Sequence, residues 1–273
     1  MAPHPTLNGV PRGRIIPRAL TGTHPPDYYL YVPRRIRERG NLLVSVHGTS
    51  RNGLEHALLL ADLGERLGVV VAAPLFRRKR HRGYQRLARR EGRGEDPLEL
   101  FERVAADARR VAGLDEEPLA LLGFSGGGQF AHRYALMRPE RVSRLVVAAA
   151  GWYTLPTPRA AYPLGIASSP DTRYSHLTPR LAEFLRIPTL VVVGSEDDRR
   201  DAMLNRDKEI DASQGTHRVQ RAQAWHAGLQ RAAAQHGLPA RSSFALLQGV
   251  GHSFAQAVVI GGLEGLLAEA LAP

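Results

Sequence analysis

Residues 123–127 read Gly-Phe-Ser-Gly-Gly, which sets Ser125 at the centre of a G-x-S-x-G pattern. A serine hydroxyl is a weak nucleophile near neutral pH. It needs an imidazole to take its proton, a carboxylate to orient that imidazole, and N–H donors for the negative charge that develops. The apolar run Leu119–Leu122 before it predicts a strand, and Gln129–Ala135 after it predicts a helix. A sharp strand–turn–helix elbow of this kind exposes a nucleophile at the edge of a sheet. Backbones crowd there, which suits Gly123 and Gly127. Ser125 would also stand at a helix N-terminus, where N–H groups and the helix dipole favour negative charge. The competing reading is a serine that merely caps a helix after a glycine-rich turn, and the remaining parts weigh against it.

Eleven histidines compete for the role of base. His252 lies in Gly249-Val250-Gly251-His252-Ser253-Phe254, between the last predicted strand and the last predicted helix. On an elbow of this type the chain order is serine, acid, histidine, which places His252 correctly. His217, His226 and His236 fall on or beside a predicted helix, and His132 follows Ser125 on the elbow helix; these read as packing or surface residues. The acid is expected just past a strand between Ser125 and His252. Val191-Val192-Val193-Gly194-Ser195-Glu196-Asp197-Asp198 is where carboxylates follow a strand at once. Asp197 is preferred and Asp198 is the alternative, with Asp201, Asp207 and Asp211 as outsiders. For the oxyanion, one donor is expected to be the amide of Gly126. The other is expected from the loop His47-Gly48-Thr49-Ser50, with Thr49 preferred over Ser50. Trp152 and Tyr153, with Tyr162, either line a substrate pocket or pack a covering segment onto the sheet.

The elements that must hold these residues alternate along the chain. Tyr28–Val32, Asn41–Val46, Val69–Ala73, Leu119–Leu122, Leu145–Ala150, Leu190–Val193 and Ser243–Leu247 read as strands. Leu54–Leu67, Pro97–Ala112, Gly127–Met137, Thr178–Leu185, His217–His236 and Phe254–Leu271 read as helices. Continuous apolar strands separated by helices predict an α/β fold, a mostly parallel central sheet with helices on both faces. The region Arg14–Val32 predicts antiparallel edge strands. Two stretches break the alternation, residues 151–176 and residues 195–216. Both follow strands, so both are expected at the carboxyl edge of the sheet, where open α/β sheets bind ligands. The first is expected to form a small cap (residues 151–177) within a single domain spanning 1–273.

Composition narrows the chemistry further. The 273-residue chain has no cysteine, which excludes disulfides, thiol nucleophiles and thiolate metal sites. No cofactor or metal is expected. The formal net charge is +11, and nearly all of the basic charge is arginine, since Lys79 and Lys208 are the only lysines. The densest run is Arg77-Arg78-Lys79-Arg80-His81-Arg82, followed by Arg86, Arg89, Arg90 and Arg93. Nucleic-acid binding wants basic residues on one face with stacking aromatics, and only Tyr84 interleaves here. A solvated loop that attracts anions is the expected reading, with no nucleic-acid partner. No apolar run is long enough to span a membrane. No charged region followed by an apolar one opens the chain, so the expected location is cytoplasmic.

From about Tyr28 onward the chain resembles the α/β-hydrolase superfamily. Within it, the chain is similar to polyhydroxybutyrate-depolymerase-like esterases. The residues behind the narrower likeness are Val46-His47-Gly48, Ala73-Pro74-Leu75-Phe76 with Tyr84-Gln85-Arg86-Leu87, Gly123-Phe124-Ser125-Gly126-Gly127-Gly128, Gly151-Trp152-Tyr153 and Gly249-Val250-Gly251-His252. The resemblance implies hydrolysis of carboxylic esters, including hydroxyalkanoate oligomers or related polyesters. The chain departs from secreted polymer-degrading members in lacking a visible signal peptide, disulfides and an appended polymer-binding domain. A soluble short ester or oligomer is therefore the expected substrate. Two other functions stay open at this point: hydrolysis of another acyl bond such as a thioester or peptide, and a catalytically silent protein that binds an anion on this fold.

Overall fold

In the computed structural model, residues 6–7, 9–20, 26–37, 42–88, 95–168 and 172–272 are described. Eight strands form one sheet: β1 (Ile15–Arg18), β2 (Tyr28–Tyr31), β3 (Leu42–Val46), β4 (Val70–Pro74), β5 (Leu119–Phe124), β6 (Val142–Ala148), β7 (Thr189–Gly194) and β8 (Ser242–Leu247). Their spatial order is β8-β7-β6-β5-β3-β4-β2-β1. The six strands from β3 onward pair in parallel, while β1 and β2 add an antiparallel edge against β4. A separate two-residue ribbon pairs Thr6–Leu7 with Val10–Pro11.

The strands form where they do because they are apolar on both faces. Every residue of β3, β4 and β5 is buried, as expected of parallel strands covered on both sides. Among the described residues, eight helices supply the cover: α1 (Gly53–Leu67), α2 (Pro97–Ala112), α3 (Gly126–Met137), α4 (Leu177–Phe184), α5 (Lys208–Gln214), α6 (Arg218–Gln235), α7 (Phe254–Val259) and α8 (Leu263–Leu271). α1, α7 and α8 pack together as one layer. α3 is joined to α2 through Phe130 and Phe101, to α6 through His132 and Trp225, and directly to α4. Helices thus cover both faces. The pairing of Val46 with Gly123 and of Gly194 with Leu247 brings the carboxyl ends of β3, β5, β7 and β8 to one edge.

The structure corrects one sequence-based expectation. The final helix predicted over Phe254–Leu271 is two helices, because Gly261 and Gly262 interrupt it and Gly262 takes a left-handed φ of 78°. Within the stretch 195–216, α5 forms. The described residues of the stretch 151–176, expected to cap the sheet, carry a 3-10 turn at Thr172–Tyr174 and an isolated bridge between Ala161 and Ala167, with no longer regular element among them. This segment lies over α3 and the loop after β4. Thr154 donates its N–H to His132 Nε2 at 2.9 Å, the Tyr162 hydroxyl donates to the Arg86 carbonyl, and Arg173 donates to the Leu87 carbonyl at 3.1 Å. Asn41, Arg89, Arg90, Arg93 and residues 169–171 of the predicted cap lie outside the described residues. No helix among the described residues is long and apolar enough to cross a membrane.

Candidate active site

Ser125 joins β5 to α3, and its backbone is held at φ 55° and ψ −114°. A non-glycine residue at such angles is strained and persists only where its surroundings enforce it. The surroundings are visible. Ser125 donates its N–H to the Ala148 carbonyl at 2.8 Å, and its own carbonyl accepts from Gln129 N at 3.1 Å. The helix also presses directly on neighbouring strands. A Cβ on Gly127 would lie 1.9 Å from the Val46 carbonyl oxygen, and one on Gly123 would lie 2.1 Å from that of Gly127. Both positions therefore exclude any side chain, which is the physical reason for glycine two residues before and two residues after the serine.

The other two parts come from the neighbouring loops. His252 Nε2 is 3.0 Å from Ser125 Oγ, and His252 Nδ1 is 2.6 Å from Asp197 Oδ2. A carboxylate only accepts, so Nδ1 carries the proton, and Nε2 is left with its lone pair toward the serine hydroxyl. The ring of His252 lies along that of Phe124, with centroids 5.1 Å apart. The loop with the acid and the loop with the base are laced together. Ser195 N donates to the Leu247 carbonyl at 2.9 Å, Glu196 N donates to the Val250 carbonyl at 3.0 Å, and Gly249 N donates to Ser195 Oγ at 3.0 Å. Asp197 is buried and Asp198 is exposed. Of the two carboxylates left open by the sequence, Asp197 is the one in contact with His252.

The loop after β3 packs against the same elbow. A Cβ on Gly48 would lie 3.2 Å from Ser125 Cβ, and a Cβ on Gly126 would lie 3.4 Å from the amide nitrogen of Thr49. His47 holds this loop in place. Its Nδ1–H donates to the Gly48 carbonyl at 2.8 Å, and its Nε2 accepts from Phe76 N at 3.0 Å. Burial pushes the His47 imidazole down to about 4, so it stays neutral and keeps this tautomer. Tyr84 braces the loop from the other side by donating its hydroxyl to the His47 carbonyl at 2.9 Å. That hydroxyl also lies 2.7 Å from the Cβ position of Gly126. The sequence placed Tyr84 as an aromatic in a basic run and in one of the stretches behind the family resemblance, without this contact.

The remaining histidines near the elbow are structural in their contacts. His56 Nδ1 meets Ser45 Oγ at 2.7 Å, and its ring stacks on Phe254 at 3.7 Å. His132 Nδ1 donates to the Gly128 carbonyl at 2.8 Å and its Nε2 accepts from Thr154 N. Burial holds both well below the usual histidine range. Tyr153 is fully buried, stacked on Trp225 with centroids 4.7 Å apart, so it reaches any substrate only through its neighbours. Trp152 carries the Arg133 guanidinium 4.1 Å from its ring centroid. Arg133 is buried and pushed down to about 10 by desolvation, which leaves it charged at neutral pH.

Sequence reasoning missed one side chain in contact with the acid. Arg218, the first residue of α6, donates from Nη1 to Asp197 Oδ1 at 3.1 Å. A signal was present, because a cation at a helix N-terminus opposes the helix dipole unless carboxylates hold it. Among the described residues, no three His, Asp or Glu side chains gather as metal ligands do.

Solved structures with this arrangement of elements are numerous. LpqC, a poly(3-hydroxybutyrate) depolymerase from Bordetella parapertussis, matches 90% of this chain and 86% of its own at 27% identity and a TM-score of 0.74. The chain is an α/β-hydrolase-fold serine hydrolase. A poly(aspartic acid) hydrolase from Sphingomonas sp. KT-1 shares the fold at 23% identity, 89% and 92% coverage and a TM-score of 0.73. So does an S-formylglutathione hydrolase from Agrobacterium tumefaciens, at 18% identity, 90% coverage of each chain and a TM-score of 0.55. No protein-family model matches the α/β-hydrolase chain, and no curated protein matches it.

Proposed function

We propose that the protein hydrolyses carboxylic esters through an acyl-enzyme on Ser125, with soluble short esters or hydroxyalkanoate oligomers as substrates. The observation that carries the reading is the hydrogen-bonded chain Asp197–His252–Ser125, with contacts of 2.6 and 3.0 Å at a strained elbow. Ser125 Oγ attacks the ester carbonyl carbon while His252 Nε2 takes its proton. The carbonyl oxygen becomes an oxyanion and accepts hydrogen bonds from the amides of Gly126 and Thr49. Collapse of the tetrahedral species expels the alcohol, to which His252 returns the proton, and leaves Ser125 acylated. Water then attacks the acyl carbon while His252 takes its proton, and collapse of the second tetrahedral species releases the acid as His252 returns that proton to Ser125 Oγ. Asp197 holds the Nδ1–H and stabilises the imidazolium in both halves.

The ester preference follows the likeness to the poly(3-hydroxybutyrate) depolymerase, whose name gives a polymer in which a hydroxyl of one unit esterifies the carboxyl of the next. The decisive experiment pairs labelling with a substrate panel. An organophosphonate is expected to modify Ser125, and Ser125→Ala to abolish the adduct. Among p-nitrophenyl esters, a hydroxybutyrate oligomer, a thioester and an amide, the esters are expected to turn over fastest. A faster thioester or amide would move the substrate class, and an adduct that survives in Ser125→Ala would remove the nucleophile.

A further inference from the structure

Asp197 is in contact with more than His252. Its Oδ2 accepts from the imidazole, while its Oδ1 accepts from Arg218 Nη1 at 3.1 Å. Asp197 is 3% exposed and Arg218 2% exposed. A buried arginine on a carboxylate locks its orientation, but it also neutralises the charge that should stabilise an imidazolium. Taken alone, the pair would present His252 with a net charge of about zero. The structure supplies a third member. Arg218 Nη1 also donates to Asp201 Oδ2 at 2.5 Å, and Nη2 donates to Asp201 Oδ1 at 3.4 Å. Asp201 is itself fixed, because its Oδ1 accepts from Met203 N at 2.7 Å and Leu204 N at 2.9 Å. Its bond to Arg218 holds its carboxyl below the usual range, so it stays ionised.

We propose that Arg218 and Asp201 are positioning residues for the reaction. The ion triplet Asp197–Arg218–Asp201 pins Asp197 and, with two carboxylates to one guanidinium, keeps a net charge of −1 facing His252. The inference rests on the proposed roles of Ser125, His252 and Asp197. Other groups around the triplet do not supply that charge. Arg221 and Arg200 both pair with Asp211, the Arg206 guanidinium reaches the Asp201 backbone carbonyl, and the Tyr153 phenol is held neutral by burial. His217 adjoins Arg218 in sequence and has no partner for its buried Nδ1 among the described residues. Phe124, the ring beside His252, and Phe254, which packs against Phe124, carry no charge.

The test is the pH profile of kcat/KM for a p-nitrophenyl ester. Asp201→Asn keeps an oxygen for the Met203 and Leu204 amides but removes the charge, and Asp201 is 38% exposed, so the fold tolerates it. A less negative surrounding makes the imidazolium harder to form. The acid limb is therefore expected to move to lower pH by about half to one unit, and the plateau to fall about ten-fold. Asp201→Glu is expected to restore the limb, and exposed Asp198→Asn to track the wild type. Arg218→Lys keeps the charge and loses the fork, so it is expected to lower the plateau without moving the limb, whereas Arg218→Gln removes the positive charge between the two carboxylates and is expected to move the limb to higher pH, opposite to Asp201→Asn. A purely structural role would lower rates and leave the limb in place. An unmoved limb in Asp201→Asn overturns the role of Asp201, and an unmoved limb in Arg218→Gln or a wild-type plateau in Arg218→Lys overturns that of Arg218. Failure of the underlying reading is separately visible: it would appear as full activity in Asp197→Asn or a persistent adduct in Ser125→Ala.

Discussion

Ser125 stands where the backbone disfavours any side chain, at φ 55° and ψ −114°. The contacts of Gly127 with Val46 and of Ser125 N with Ala148 hold the elbow there, so the strain is carried by the sheet and not by the serine. The strain is measurable. Ser125→Gly relieves a φ that costs about 1–3 kcal/mol and loses about 0.5–1 kcal/mol in chain entropy, whereas Ser125→Ala keeps the strain. The glycine variant is therefore expected to be more stable than the alanine variant by about 1 kcal/mol in urea melts, with both inactive. Equal stability would show that the elbow is relaxed. At this scale the contact of Ser125, His252 and Asp197 was legible because each lies beside a strand end in the chain order that belongs to this kind of elbow. Arg218 and Asp201 were not. Arg218 is 21 residues from Asp197 in sequence and reaches it only through the packing of α6. Tyr84 was equally hidden, since its hydroxyl meets His47 from 37 residues away.

The elements were most legible where local signals agree with burial. α2 runs from Pro97 to Ala112 as its pattern predicts, because Asp96 caps it, proline opens it and Gly113 closes it. α5 was invisible to apolar spacing, since only Ile210 and Gln214 of its residues are buried. The break between α7 and α8 was misread for the opposite reason. Apolar residues continue at helical spacing across it, but Gly261 packs against Val250 and Ala257 so closely that a Cβ would come within 2.9 Å of both. Gly262 then turns the chain in a left-handed conformation to begin α8. The break lets α7 carry Phe254 onto His56 directly after the His252 loop, while α8 closes over the sheet. Gly262→Ala places a Cβ at φ 78° in open space, so only the backbone cost applies. It is expected to lower stability by about 1 kcal/mol with kcat unchanged, read from a thermal melt and ester turnover.

Charge acts on the whole molecule in two ways. The first is through buried neutral histidines. Burial depresses His47 to about 4 and holds His56 and His132 well below the usual range. A folded-state value below the unfolded one means that the unfolded chain binds more protons in acid. The stabilisation is full above the unfolded histidine value of about 6.5 and is lost as pH falls toward the folded value, at about 1.4 kcal/mol per pH unit for each histidine. Denaturant midpoints are thus expected to drop steeply from neutral pH toward about pH 5, before most carboxylates titrate; a flat profile would mean that these imidazoles are charged in the fold. The second is through the arginine-rich loop after β4. Arg77 is part of the structure, bonded to the Pro26 carbonyl and near Asp27. Arg78, Lys79, Arg80 and Arg82 are exposed, while Tyr84, the aromatic among them, is buried against the elbow. The loop therefore offers charge without a stacking platform, beside the site that Tyr84 braces. Such charge acts by long-range attraction, which salt screens within about 10 Å at 0.1 M. For an anionic ester, kcat/KM is expected to fall with added salt while kcat holds, and a neutral ester of similar size is expected to respond little. Replacing Arg78, Lys79 and Arg80 together with glutamine, and sparing Arg77, should remove that salt dependence and leave neutral-ester turnover intact. Nucleic-acid binding would instead show an affinity that falls steeply with salt as phosphate contacts release counterions. Tight DNA binding at physiological salt that disappears in the triple variant would overturn the steering role and assign the loop to a polyanion.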